Sequence, residues 1–266
     1  MKKIIPAHNG FRVDCRNLIF APPGQPDNKV LDNVRFSLEP GQIAAVIGYN
    51  GSGKSTLLKA ISGEIKLSGG HVSVAGQRVN GPINRVIDGV GIVHQNDEDD
   101  LLHEYSILLN VAFRQVNNDC HPSRFFALSP RYKAKIGNVL DHHAKELDHD
   151  LRNLVGHLSA GQRQILNLAI AIYLEHEHNP CKLILLDEHT AKLDHERSKT
   201  VMDYTIDQIR SVNASALMVT HRYEDALLCD RIIVMSQGKI HQELECSESL
   251  TKEDLKHAVA AGSNNE

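Results

Sequence analysis

Residues 48–56 read Gly48-Tyr49-Asn50-Gly51-Ser52-Gly53-Lys54-Ser55-Thr56 and fit the pattern G-x-x-x-x-G-K-[ST]. An apolar segment at 43–47 precedes them, and a helix-compatible segment at 54–62 follows. In this setting backbone N–H groups cradle phosphates, Lys54 reaches the β- and γ-phosphates, and Ser55 binds magnesium. Glycine is needed where the backbone turns tightly beside oxygens. The stretch therefore predicts a phosphate-binding loop between a buried strand and a helix. Tyr49 could line the nucleotide or face solvent, and the second is favoured.

Apolar and helix-compatible segments alternate along the rest of the chain. Strands are predicted at 11–20, 30–38, 43–47, 89–95, 183–186 and 216–220. A short edge hairpin is predicted at 71–76, and a second hairpin is predicted from strands at 231–235 and 239–241. Helices are predicted at 54–62, 106–116, 134–147, 164–174, 196–209 and 250–260. Such alternation indicates an α/β fold with a mainly parallel sheet and helices on both faces. Residues 96–156 are polar and rich in helix formers, which predicts an inserted helical subdomain.

The bulk composition excludes several classes of protein. The chain has 266 residues, of which 41% are hydrophobic and 23% charged, with a net charge of −4. This balance gives no reason to expect nucleic acid as a partner. Five scattered cysteines without a C-x-x-C pair indicate neither a disulfide framework nor a zinc site. No stretch approaches the roughly 20 apolar residues of a membrane-spanning helix.

Asp187 and Glu188 follow the apolar segment at 183–186. The carboxyl end of a buried parallel strand lies beside the phosphate loop in such a sheet. Asp187 is then suited to hold magnesium through water, and Glu188 to contact a water in line with the γ-phosphate. The pair predicts hydrolytic chemistry at this edge.

Gln95 and His221 also lie at strand ends, after the segments at 89–95 and 216–220. The neutral amide of Gln95 can touch magnesium or water and report the nucleotide state to the insertion. His221 is assigned a γ-phosphate contact. A solvated helix face, rather than a metal site, is the interpretation of the histidine-rich segment from His142 to His149.

Residues 158–162 read Leu158-Ser159-Ala160-Gly161-Gln162 and open the apolar segment at 164–174. A helix N-terminus presents unpaired N–H groups and partial positive charge, so Ser159 and Gly161 could hold a phosphate oxygen. Two anion sites separated by a long insertion suggest that a nucleotide is shared between two copies of the chain.

Taken in order, these motifs and the turn Ala191-Lys192-Leu193-Asp194 resemble the nucleotide-binding subunit of an ATP-binding-cassette (ABC) transporter. The resemblance implies a P-loop NTPase with the ABC ATPase fold: a single domain at 1–261. This domain would comprise a core and an antiparallel β subdomain (1–95 and 159–261), with a helical subdomain at about 96–158. Residues 262–266 would form a flexible tail.

The same resemblance implies roles for the site residues. A head-to-tail homodimer would close on two ATP molecules with Mg²⁺. Glu188 would be the catalytic base, His221 the γ-phosphate switch, and Asp194 the coupling residue between the sites. The metal ligands would be Ser55, Gln95 and Asp187. The residues acting in trans would be Ser159, Ala160, Gly161 and Gln162.

Several positions depart from the family pattern. Ala160 stands where glycine is most common, His189 where proline is common, and Lys192 where a small residue is common. The aromatic side chain that stacks on adenine is not evident, since Phe20 is nearest but Pro22 lies closer to the expected spacing.

The resemblance also implies partners. These are multi-span permease subunits at the cytoplasmic side of the cell membrane and, through them, an extracytoplasmic solute-binding protein. Similarity at 187–191, 218–221 and 250–255 to a bacterial branch proposed to import amino acids or related solutes favours import. The absence of a fused membrane domain and of an exporter-type sequence before residue 158 favours it as well. A soluble scaffold ATPase, such as one for iron–sulfur cluster assembly, is the alternative.

Overall fold

The computed structural model of the chain describes residues 9–83, 87–118, 129–145, 147, 150–175 and 180–263. The strands are β1 (Val13–Phe20), β2 (Leu31–Leu38), β3 (Ile43–Ile47), β4 (Gly69–Val74), β5 (Gln77–Arg78), β6 (Val90–Val93), β7 (Leu183–Asp187), β8 (Ser215–Val219), β9 (Arg231–Ser236) and β10 (Lys239–Glu245). The helices are α1 (Lys54–Ser62), α2 (Ile107–Asn118), α3 (Pro130–His143), α4 (Ala160–Ala169), α5 (His195–Ser211), α6 (Tyr223–Ala226) and α7 (Lys252–Ser263). Single 3₁₀ turns lie at Asp97–Asp99 and Val155–His157, and a π-helical turn at Ile170–Leu174 continues α4.

A six-stranded sheet in the order β10-β9-β3-β8-β7-β6 forms the centre of the molecule. All neighbouring strands are parallel except the hairpin of β9 and β10. The carboxyl ends of β3, β8, β7 and β6 therefore meet at one edge, where an open α/β sheet binds its ligands. This arrangement confirms the predicted mainly parallel sheet.

Side chains along the central strands point alternately to the two faces of the sheet, and this divides the core into two layers. Ile43, Ala45 and Ile47 face the cluster that contains the α4 and α5 side chains, whereas Ala44 and Val46 face the cluster that contains α1. Both faces of the sheet are thus covered by apolar side chains, as expected for buried parallel strands.

A four-stranded antiparallel sheet, in the order β2-β1-β4-β5, packs on the α1 side. The predicted hairpin at 71–76 is present, because β4 and β5 pair across a turn in which Ala75 and Gly76 both have positive φ. The sheet places the β1–β2 connection beside the phosphate loop, since the Gly53 Cα would direct a Cβ to within 2.8 Å of the Val30 carbonyl oxygen.

The insertion contributes α2 and α3, whose apolar residues Ile107, Val111, Ile136 and Leu140 join the cluster around α4. The prediction of a helix at 134–147 was wrong at its C-terminal end. The helix α3 ends at His143, because Ala144 has φ −135° and ψ 48°. The bounds proposed for the helical subdomain stay a prediction.

The last helix begins and ends later than the predicted 250–260. The helix α7 includes Gly262, whose carbonyl accepts a hydrogen bond from Ser236 Oγ at 2.8 Å. Of the predicted tail, residues 264–266 lie outside the described part of the chain. Within that part, every helix is too short or too polar to cross a membrane.

Candidate nucleotide site

The loop between β3 and α1 approaches neighbouring backbone so closely that two positions require glycine. Gly48 has a φ of 151°, and a Cβ there would lie 2.2 Å from the carbonyl oxygen of Met235. Gly53 has a φ of 101°, and its Cβ would lie 2.8 Å from the carbonyl oxygen of Val30. A side chain at either position would strain the backbone and clash. The glycines thus set the shape of the predicted phosphate loop.

Lys54, the first residue of α1, folds back over this loop. Its Nζ donates to the carbonyl oxygens of Gly48 and Tyr49, each at 3.0 Å. Burial lowers the pKa of Lys54, although the charges of Glu188 and Asp187 oppose that effect. Because a phosphate oxygen is a stronger acceptor than a peptide carbonyl, the ammonium group can exchange these contacts for phosphate.

Ser55 and Asp187 meet across the site. Ser55 Oγ donates to Asp187 Oδ1 at 3.0 Å, and burial raises the pKa of Asp187. A hydroxyl and a carboxylate oxygen are ligands that Mg²⁺ accepts, so the donor set fits this ion. Ser55 and Asp187 would hold it; when bound, it would supply positive charge beside the phosphates.

Glu188 lies at the centre of a cluster built from three neighbouring strand ends. Gln95 Nε2 donates to Glu188 Oε2 at 3.1 Å, and His221 Nδ1 lies 3.5 Å from the same oxygen. The strands β6, β7 and β8 lead into these three residues, so the sheet brings together all the side chains that the sequence placed there.

The backbone at Glu188 is held in an uncommon conformation. Its φ is 43°, in the left-handed region that non-glycine residues rarely adopt. The Glu188 N–H donates to the carbonyl of Val219 at 3.0 Å, and the Glu188 carbonyl accepts from the Ala191 N–H at 2.9 Å. Such strain persists where surrounding contacts enforce it, often at functional sites.

An open cavity of about 350 Å³ lies over the phosphate loop. It is lined by Val30, Asn50, Gly51, Gly53, Lys54, Ser55, Thr56, Gln95 and Glu188. Ser52 Oγ is buried and has no hydrogen-bond partner among the described residues. The side chain of Tyr49 is 54% exposed, as predicted.

Val30 is a lining residue that the sequence reasoning missed. Its N–H donates to the carbonyl of Phe20 at 2.8 Å, so the end of β1 lies one residue from the cavity wall. Phe20 itself is half-buried and packs against the apolar cluster beneath the antiparallel sheet. Its contact with adenine stays a prediction, as does the alternative at Pro22.

The segment 158–162 forms the N-terminus of α4 and caps itself. Ser159 Oγ accepts a hydrogen bond from the Gln162 N–H at 3.3 Å, and Gln162 Oε1 accepts one from the Ser159 N–H at 3.0 Å. This capping box fixes both side chains, while the first N–H groups of the helix have no intrahelical acceptor. The helix N-terminus predicted for this segment is therefore present, and its binding of a phosphate stays a prediction.

This segment is separate from the cavity. The described residues that line the cavity include none from 158–162. An added Cβ at Gly161 would meet no described atom within 4 Å, so the packing of its own chain does not require glycine there. Ala160 is half-buried, and its methyl group is accommodated.

Asp194 caps α5. Its carboxylate accepts from the Arg197 N–H at 2.9 Å, and Arg197 Nε lies 3.3 Å from it. The Asp194 side chain is exposed, so its predicted coupling role is not visible within one chain.

Two histidines, His143 and His189, make contacts that the sequence did not predict. His143 stacks on Tyr173 with a ring separation of 3.7 Å and contacts Gln208, so it packs rather than lying on a fully solvated face. His189 is buried beside Glu188, its Nε2 lies 3.1 Å from Thr205 Oγ1, and burial lowers its pKa to about 4. A neutral buried imidazole thus fills the position where proline was expected.

Among the described residues, no group of three or more His, Cys, Asp or Glu side chains could hold a metal ion. The predicted magnesium ligands Ser55, Gln95 and Asp187 include a single carboxylate, and the site stays a prediction. The sequence analysis also missed the ion pairs that Asp97 and Asp100 make with Arg163 and Arg114. The acidic run at 97–100 was the available signal.

The fold and the phosphate loop define a P-loop ATPase of the α/β class. A family profile described as "ABC transporter" matches residues 31–191, more than half of the chain, and the chain belongs to that family. It is an ATP-binding and ATP-hydrolysing subunit of the kind found in ABC transporters.

Individual relatives of the chain are also ATP-binding proteins of this family. The chain is 33% identical over 222 residues to the lipoprotein-releasing system ATP-binding protein LolD of Coxiella burnetii, covering 81% of this chain and 88% of the relative. It is 31% identical over 242 residues to a tyrosine transport ATP-binding protein of Clostridioides difficile, covering 88% and 92%.

A solved structure shares the fold. The ATP-binding cassette MJ0796, solved as a dimer in a post-hydrolysis state bound to ADP and Pi, superposes with a TM-score of 0.69. The match covers 88% of this chain and 99% of that one at 23% identity.

Proposed function

We propose that this subunit powers a separate membrane permease and that the transported solute is imported. The convergence of Glu188, Gln95 and His221 beside the phosphate loop carries the energy-supplying part of this proposal, because it places a base and two polar contacts for ATP hydrolysis at one edge of the sheet. The ATPase would act as a head-to-tail homodimer.

Glu188 is the proposed catalytic base. Its carboxylate is only 16% exposed, and it can accept a proton from a water that attacks the γ-phosphorus in line. Gln95 and His221, which flank the same oxygen, would orient this water and contact the γ-phosphate. Lys54 would meanwhile leave its loop carbonyls for the phosphates.

The proposed trans contact is made by the N-terminus of α4. Ser159 and Gly161 lie at a helix terminus with unpaired N–H groups, which favours a phosphate. Gly161 itself is buried, but a Cβ there would meet no described atom outside its own helix within 4 Å, so the rest of the chain leaves that position to another molecule. In the proposed dimer that molecule is the partner subunit's ATP.

The proposed permease surface lies on the insertion and consists of Leu102, Tyr105, Phe113 and Leu154. These are four of the large apolar side chains exposed by 39–46%, and the Tyr105 and Phe113 rings contact edge to face at 5.5 Å. Leu154 adjoins them through the bridge between residues 106 and 154. Exposed apolar patches on a polar surface mark interaction sites.

The charge around this surface indicates the chemistry of the permease segment. Glu98, Asp99 and Glu104 are exposed beside Leu102 and Tyr105. A permease helix with an apolar face and basic flanking residues would satisfy both features. Residues 94–97, here called the Gln95 segment, lead along the chain into this surface. A change in the nucleotide at Gln95 can therefore be passed to the permease.

The solute class is supported by similarity. The relative from Clostridioides difficile is described as a tyrosine transport ATP-binding protein, in line with the segments at 187–191, 218–221 and 250–255. We propose import of an amino acid or a related small solute.

Co-purification of the full-length chain from its native membranes tests the permease partner. A multi-span membrane protein should be recovered with the wild-type chain, and Tyr105→Asp should reduce that recovery strongly while ATP hydrolysis by the isolated subunit persists. Leu228→Asp, at another exposed apolar residue, is the matched control and should retain the permease.

Recovery of a soluble complex without any permease would contradict the transport role and favour a scaffold ATPase. The permease, once identified, allows uptake to be measured in proteoliposomes with the subunit outside or inside. Solute accumulation on the side of the ATPase is the expected result, and movement away from that side would contradict import.

A further inference from the structure

Asp97 is placed between the two segments to which the proposed function assigns phosphate contacts. It lies two residues after Gln95, in the 3₁₀ turn Asp97–Asp99, and its side chain is 10% exposed. Arg163 Nε lies 2.5 Å from Asp97 Oδ2. Arg163 directly follows Gln162 on the first turn of α4.

The guanidinium of Arg163 extends the connection to Ser159. Its second nitrogen donates to the carbonyl of Leu158 at 2.7 Å, and Leu158 immediately precedes Ser159. A single side chain therefore bridges the acidic turn after Gln95 and the backbone that leads into the capping box. A charge-assisted hydrogen bond, such as that between Arg163 and Asp97, is stronger than a neutral one.

A third side chain also approaches the Asp97 carboxylate. His103 Nε2 lies 3.3 Å from the oxygen that Arg163 contacts. The carboxylate is therefore flanked by Arg163 and His103.

A second attachment prevents the turn from pivoting about Asp97. Asp100, whose side chain is 3% exposed, accepts hydrogen bonds from the His94 N–H and from Asn167 Nδ2, each at 2.8 Å. Arg114 lies 3.2 Å from Asp100 and 3.1 Å from Glu175. Since Asn167 is on α4, both ends of the acidic turn are fixed to one helix.

We propose that Asp97 is a positioning residue that makes the Gln95 segment and the N-terminus of α4 move as one body. A displacement of Gln95 by the γ-phosphate in one site would then move Ser159 and Gly161 toward the other ATP. The inference rests on the proposed function of these two segments. It adds to that function the contact through which one site affects the other.

The test separates ATP binding by one subunit from ATP-driven dimerisation. In a Glu188→Gln background, dimerisation is followed by light scattering against ATP concentration, and the affinity of the monomer is measured with a fluorescent ATP analogue. Adding Asp97→Asn should raise the ATP concentration for half-maximal dimerisation about tenfold and leave the affinity of the monomer unchanged. Arg163→Gln should have a similar effect, and the double variant should be no worse than either single variant.

Ser129→Ala is the control for a purely structural loss. Ser129 Oγ accepts the Tyr132 N–H and caps α3 in the same insertion, but touches neither phosphate segment. This variant should lower thermal stability without shifting dimerisation. An equal shift in Ser129→Ala would mean that Asp97 acts through stability alone, and would overturn the inference.

The remaining outcomes are distinct. If Glu188→Gln alone fails to dimerise with ATP, the proposed function fails. Two outcomes contradict only the positioning role, given that Glu188→Gln dimerises with ATP. In the first, Asp97→Asn leaves dimerisation unchanged. In the second, Asp97→Asn weakens ATP binding by the monomer as much as it weakens dimerisation. Additive losses in the double variant would also contradict the ion-pair link.

Discussion

The phosphate-loop edge of the large sheet and the N-terminus of α4 differ in how complete they are within one chain. At the sheet edge, Lys54, Ser55 and Asp187 contact other groups of the same site, and Glu188 is flanked by Gln95 and His221. At the helix terminus, Ser159 and Gln162 cap each other, and a Cβ added at Gly161 would meet no described atom outside its own helix within 4 Å. The comparison teaches that the sheet-edge half of the proposed site is assembled by folding, whereas the helix-terminus half would be completed only in the dimer that we propose.

The largest effect is expected from the assembled half. Glu188→Gln removes the proposed base and keeps the shape of the side chain, so ATP hydrolysis should fall by about 10²–10⁴-fold while ATP binding is retained. Phosphate release and nucleotide binding check this. Glu253→Gln, an exposed carboxylate paired with Lys256 on α7, is the matched control and should leave the rate unchanged. A wild-type rate in Glu188→Gln would show that the base assignment is wrong.

Mixed dimers examine the incomplete half directly. Lys54→Ala and Ser159→Arg subunits should each be inactive alone, because both sites of each homodimer are damaged. In a mixed head-to-tail dimer one site carries both lesions and the other carries neither, so hydrolysis should return in proportion to the mixed dimers formed. Absence of recovery, with mixed dimers verified by two affinity tags, would refute sharing of the nucleotide.

A pair of glycine substitutions sharpens the comparison further. Gly161→Ala should leave the subunit as stable or make it more stable by up to about 1 kcal/mol, since alanine is the better helix former. Hydrolysis should nevertheless fall, by about tenfold, because the methyl group would enter the space left for the partner's ATP.

Gly91→Ala is the contrasting variant, since it should lower the stability that Gly161→Ala retains. Its Cβ would lie 2.7 Å from the Ala171 carbonyl oxygen, inside the core, so stability should fall. Urea unfolding and steady-state hydrolysis measure both quantities for both variants. Unchanged hydrolysis in Gly161→Ala would indicate that no second molecule approaches this residue.

The same division explains how far the sequence alone could lead. The phosphate loop, Asp187, Glu188, Gln95 and His221 were predictable because each follows a strand, and parallel strands end at one edge of a sheet. The mainly parallel sheet followed from the alternation of apolar and helical segments.

Contacts between distant segments could not be predicted in this way. The pairing of Asp97 with Arg163 joins residues 66 positions apart, and no local pattern specifies it. The left-handed φ of Glu188 and the end of α3 at His143 also depend on tertiary contacts rather than on propensity.

The smallest expected effect concerns His94, which lies where the two halves are joined. Its Nδ1 is 2.7 Å from Asp100 Oδ1, and its Nε2 is 3.7 Å from Glu64 Oε1, which follows α1. The hydrogen bond with Asp100 and the nearby carboxylate of Glu64 raise the pKa of His94 to about 10. Since the pKa is higher in the folded state, the stabilisation is fully present below about pH 6.5 and is lost as pH rises through about 10.

We therefore expect His94→Gln to be less stable than the wild type at pH 6 by about 1–2 kcal/mol, a value that allows for the screening of this partly exposed group. The difference should narrow toward pH 10, because the wild-type imidazolium then loses its proton. Urea unfolding at pH 6, 8 and 10 measures it, and His142→Gln on the exposed side of α3 controls for loss of an imidazole. If the difference in unfolding free energy between the two proteins stayed constant from pH 6 to pH 10, packing rather than charge would hold His94 against the insertion. The contact between the two halves of the site would then be insensitive to protonation.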